Sequence, residues 1–335
     1  MAESVQPGPS RAPQLVRAAR LVNAAQIAHD TEVRQSPNGV SFATFGETGL
    51  ADLDLDRMLE AVPRAITAAL KANTYYFVPL ALREASENPD ASGNQEAPGN
   101  SNAPDSVDIS ESPVQPTMVA SAYTDEFSDA AICHRNVELG HGKRGVFIST
   151  RLMGDRFALS FEFFINVAHA FVDQAGVPET FAELVWKQAL SGVRGETSID
   201  AWESRNLAFG RAANALPEAE APMSRRRGSI AGFSARPRAF ASAQEGRTLA
   251  QVSVSSDATK SVNEKERGVY LEATFSDAVA MYLLSLALDF DYSELREREY
   301  PLLTPAALAA RLRAVAELFP PNDGYEFAVR YRRRA

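Results

Sequence analysis

The sequence predicts an α+β fold, with helices packed on one face of a largely antiparallel sheet. Three observations lead there. Short β-branched and aromatic runs such as Thr74–Leu82 and Arg144–Met153 read as strands. Apolar residues at helical spacing follow them, as in Phe161, Phe164, Ile165, Ala168, Phe171 and Val172. The strands and helices come in clusters, without the regular strand–helix alternation of a parallel sheet.

Taken in order, Gln14–His29 is expected to open the fold as a helix, since Leu15, Ala19, Val22 and Gln26 share a face. A strand follows at Val40–Phe45. Asp52 or Asp54 then caps a helix carrying Leu55, Leu59 and Val62, and Pro63 breaks it before Ala65–Ala72 resumes. Thr74–Leu82 is a strand that Pro79 places at an edge or cuts short.

The middle of the chain offers strands at Met118–Tyr123 and Ala131–Val137. Arg144–Met153 is read as one arm of a hairpin, Gly154-Asp155 as its turn and Arg156–Ser160 as its return. A helix follows, closed by Gly176. Pro178 starts the next, which runs to Gly192, and Ser198–Phe209 is a third.

The last part repeats the theme. Leu249–Ser255 and Val269–Phe275 read as a hairpin, and Ser276 as the cap of a helix through Val279, Leu283 and Leu286. Thr304-Pro305 starts a helix with the face Leu308, Leu312, Val315 and Phe319. Tyr325, Phe327, Val329 and Tyr331 alternate with polar residues as a closing strand. Two β-hairpin–helix–helix units are therefore expected.

Two stretches stand apart in composition. Residues 86–116 hold six acidic residues, no Lys or Arg and no aromatic, and are expected to be a disordered acidic insertion. Residues 216–246 carry Arg225, Arg226, Arg227, Arg236 and Arg238, and are expected to be a mobile basic insertion. With a disordered start over residues 1–13, this leaves one domain over 14–335, interrupted twice, because long surface insertions cost little closure entropy.

The formal charge of −9 argues against a nucleic-acid partner. The lone Cys133 rules out an intramolecular disulfide. The start lacks the pattern of a signal peptide, and the most apolar run, Ala278–Leu288, is too short for a bilayer. A soluble cytoplasmic protein, apart from any membrane, is expected.

No Walker A loop, dinucleotide-binding glycine pattern, zinc-protease pair or nucleophile elbow occurs. The best-defined constellation is a stripe on the helix after the first hairpin: Glu162, Asn166, His169 and Asp173, spaced by four, three and four. An imidazole beside carboxylates suits proton transfer, and His169 with Asp173 suits a metal. Cys133 is a candidate nucleophile with His169 as base. A looser zinc-like set comprises Cys133, His134, Glu138 and His141. The plainer account of the stripe is the wet face of an amphipathic helix. Arg225–Arg227 suits an anionic partner.

Two functions are expected on this basis. The first is an interaction or accessory protein with charged arms. The other is a metal- or histidine-dependent hydrolase using His169, Asp173, Glu162 and Cys133. No cofactor is specified.

Overall fold

The computed structural model describes residues 19–83, 117–215, 262–292 and 300–329. The predicted N-terminal segment and both insertions fall largely or wholly outside these residues, as do Arg225, Arg226, Arg227 and the predicted strand Leu249–Ser255.

Five strands form the central sheet: β2 (Arg34–Gln35), β3 (Ser41–Thr44), β4 (Asn73–Val78), β9 (Arg144–Ser149) and β8 (His134–Glu138), side by side in that order. A second sheet holds β1 (Leu21–Asn23), β6 (Met118–Ala120), β5 (Leu80–Leu82) and β7 (Ala131–Ile132). Most pairings are antiparallel, as expected. The exceptions lie at the centre, where β3, β4 and β9 run parallel. Helices α2 (Asp52–Glu60) and α3 (Arg64–Thr67) supply the crossover from β3 to β4.

Alternation sorts the central sheet into two faces. Phe42, Tyr75, Phe77, Val146 and Ile148 face a thick helical layer that includes α5 (Arg156–Ala175), α6 (Glu179–Leu190), α8 (Glu264–Ala287) and α9 (Pro305–Leu318). Ala43, Tyr76, Val78 and Phe147 face α1 (Ala24–Asp30) and residues Ala81 and Val119 of the second sheet. The main helical layer is thus on one face, and the small sheet covers the other. Pro79 does end β4, but it hands the chain to the second sheet and leaves β4 in the sheet's centre.

The expected hairpin after Arg144 is displaced by one strand. Asp155 is the cap of α5, its carboxylate accepting from Ala158 N at 2.7 Å, so Arg156–Ser160 is helix and not a return strand. Gly154 has φ +72 but precedes a helix. The hairpin that exists joins β8 to β9 through Gly140, His141 and Gly142, all with positive φ. It is followed by α5 and α6, and then by α7 (Ile199–Ala208), capped by Ser198.

Val269–Phe275 is likewise helix, the second turn and beyond of α8, which Asn263 caps from outside. The β-branched Thr274 is accommodated by donating to the Tyr270 carbonyl one turn back. Ser276 lies inside this helix and caps nothing. Although α8 has the length and apolarity of a membrane span, 67% of its most apolar stretch is buried within the fold. Gln14–His29 does not form one helix, since Leu21–Asn23 is strand. Tyr325–Val329 forms no strand; Phe327 instead sets its ring edge-on to Tyr282 at 5.3 Å. Asn322 pins this segment to the break at Pro63, donating to the Glu60 and Val62 carbonyls.

The chain leaves and re-enters this framework at neighbouring points. Residues 84–116 connect the hydrogen-bonded pair β5 and β6. Residues 216–261 lie between segments joined by a 3.0 Å bond from Asn263 N to the Ala208 carbonyl.

Candidate functional site

The polar stripe of α5 meets the inner face of edge strand β8. Their register follows from pairing: His134 lies opposite Ile148 and Glu138 opposite Arg144, so both polar residues share the helix-facing side of the sheet. The helix lies above them, and polar residues on both elements form a seam.

At one end of the seam, His134 Nδ1 lies 2.5 Å from Glu162 Oε1. The Glu162 side chain is 5% exposed and that of His134 26%. Asn166 is also buried and donates from Nδ2 to the same carboxylate oxygen at 3.2 Å and to the Glu162 carbonyl at 2.8 Å. An acid this deep in an apolar helix layer needs such partners, because an unpaired buried charge is costly.

Along the seam the stripe opens to water. His169 and Asp173 are exposed, and no hydrogen bond joins them among the described residues. Asp173 instead faces Arg144, with Oδ2 and Nη1 3.7 Å apart, and Arg144 also donates to Glu138 at 3.1 Å. Protein bulk around His169 holds its imidazole below the usual range, opposed by the negative fields of Asp173 and Asp200. Cys133 sits where the chain passes from β7 to β8. Burial, reinforced by the Glu162 charge, pushes its thiol up to about 11, which keeps it protonated at neutral pH.

The stripe residues therefore do not assemble as one set. Glu162 and Asn166 gather around His134, while His169 and Asp173 look outward. Among the described residues, no three His, Cys, Asp or Glu side chains converge to hold a metal ion.

Two features were not foreseen from the sequence. One is a buried ion cluster. Glu196, fully buried, receives Arg205 Nη1 at 3.0 Å, Arg311 Nη1 at 2.9 Å and the Tyr270 hydroxyl at 2.7 Å. Arg311 also donates from Nε to Gln188 at 2.8 Å. The cluster ties the segment before α7 to α6, α8 and α9. Its only sequence signal is Arg311 on the apolar face of α9. Beside the cluster lies Asp277, whose carboxylate accepts from Thr197 at 2.7 Å. Burial pushes its pKa up to about 6 against these hydrogen bonds.

The other is a cleft of about 960 Å³ where the end of α8 meets the start of α9. Leu288, Phe290, Leu302 and Leu308 line it, with Arg57, Arg194 and Glu326 among its charged residues. A smaller hollow of about 100 Å³ near Arg156 shares Arg57, Ala287 and Leu288 with it.

No protein-family model, curated protein or solved structure gives a significant match to this chain.

Proposed function

We propose that the chain is an interaction or accessory protein that holds an apolar ligand or peptide segment with a charged flank in the cleft between α8 and α9. The cleft itself carries this reading. Its volume falls in the range of about 300–1,000 Å³ usual for ligand sites, and its lining mixes leucine and aromatic side chains with charged groups of both signs. The buried Glu196 cluster fixes Arg311 of α9 to Tyr270 of α8, which holds together the two helices whose ends border the cleft. The basic run Arg225–Arg227 would add contacts for an anionic partner. A single cysteine without a disulfide partner suits the cytoplasm.

A hydrolase built on His169, Asp173, Glu162 and Cys133 draws less support. Arg144 engages Asp173, and the Cys133 thiol is held protonated.

Titration with 8-anilinonaphthalene-1-sulfonate, an apolar anion, tests the cleft. Saturable one-to-one binding is expected, weakened at least about tenfold by Leu302→Glu, which places a repelling charge in the lining. Absence of saturable binding, or equal binding by a folded Leu302→Glu variant, refutes the reading.

A further inference from the structure

We propose that His134 and Glu162 form a general-base dyad whose second ring nitrogen, Nε2, accepts a proton from water or an alcohol at the α5–β8 seam. The inference rests on geometry independent of the cleft. Glu162 is committed to Nδ1, and Asn166 holds that carboxylate in place from the next helical turn. A neutral imidazole donating Nδ1–H to a carboxylate must present its Nε2 lone pair on the opposite edge of the ring. The His134 side chain is 26% exposed. Nε2 has no hydrogen-bond partner among the described residues.

The same arrangement serves a proton acceptor at two stages. Before transfer, the carboxylate fixes the ring orientation and the tautomer. During transfer, the O–H bond breaks, its electron pair stays on oxygen, and the new imidazolium charge lies against Glu162. Cys133, though close by, is held as the thiol. The proton donor in this proposal is a hydroxylic molecule from solvent. His169 and Asp173 stand further along the seam and take no part.

The probe is diethyl pyrocarbonate, which reads the availability of an imidazole lone pair. Nε2 attacks a carbonyl, ethyl carbonate departs, and the Nδ1 proton passes to Glu162 or solvent. Site-resolved mass spectrometry gives a rate for each of the four histidines. His134 is expected to react at least as fast as the exposed His141 despite its smaller exposure. Glu162→Gln is expected to slow His134 about tenfold or more, leaving His141 unchanged. Equal His134 rates in parent and folded Glu162→Gln protein overturn the proposal, as does an inert His134 beside a reactive His141. Should Glu162→Gln fail to fold, long-range proton–nitrogen NMR of the unaltered protein decides. The proton must reside on Nδ1, and an Nε2–H tautomer overturns the dyad.

Discussion

Replacing Asp277 with Asn is expected to stabilise the protein at neutral and alkaline pH. The carboxylate sits on α8 among Thr197 and Ser198, which donate to it, and in the field of Asp200 and Glu196, which oppose its charge. Burial is the largest influence and lifts its pKa from 3.8 to about 6. The folded state thus binds this proton more tightly than the unfolded chain does. Stability is lost as pH rises from about 4 to about 6, and the full penalty persists above that window. Each pH unit between the two values is worth about 1.4 kcal/mol, an upper limit of about 3 kcal/mol. Asp277 keeps partial contact with water, which reduces the expected gain to about 1–2 kcal/mol. Asparagine has the same shape, and its carbonyl oxygen still accepts from Thr197. Urea denaturation of parent and variant at pH 8 and pH 4 measures the difference. The variant should be the more stable at pH 8, with the gap closing towards pH 4. A variant less stable than the parent at pH 8, or a gap independent of pH, would refute the reasoning.

Other substitutions probe the ion cluster and the outer stripe. Glu196→Gln leaves Arg205 and Arg311 buried without a counter-charge and should cost about 3–5 kcal/mol in chemical denaturation; a loss below about 1 kcal/mol would show that the two guanidinium groups find other partners. His169→Ala should stay within about 0.5 kcal/mol of the parent, as expected for an exposed side chain without a hydrogen bond. A loss above about 1 kcal/mol would mean that His169 has packing that its exposure conceals.

Much of the local structure was legible because it depends on near neighbours. Gly176 with φ +69 closes α5, Ser198 caps α7 through Ala201 N, and Thr304-Pro305 opens α9, all from signals within a turn of the helix end. The misreadings arose where a local signal had two outcomes. Gly154-Asp155 fits a hairpin turn, yet Asp155 fits a helix cap equally well, and the helix prevails because Leu159, Phe163 and Phe164 then bury against the sheet. Val269–Phe275 has strand-like composition, but as helix it places Tyr270 and Phe275 in the core.

For the candidate site, the sequence by itself determined that Glu162, Asn166, His169 and Asp173 share one face of a helix, because helical periodicity fixes relative direction. It also determined a mixed α and β core, through the alternation in strands and the helical spacing of Phe161 to Val172. Only the tertiary structure decided which part of the stripe is buried and with what. His134 reaches Glu162 across 28 positions of chain, and Glu196 reaches Arg311 across 115. Such contacts depend on how β8 borders β9 and how α9 returns over α8, and no pattern within one element encodes them. The parallel centre of the sheet has the same cause: β4 and β9 become neighbours through a long connection, and burial on both faces, not local propensity, selects that pairing.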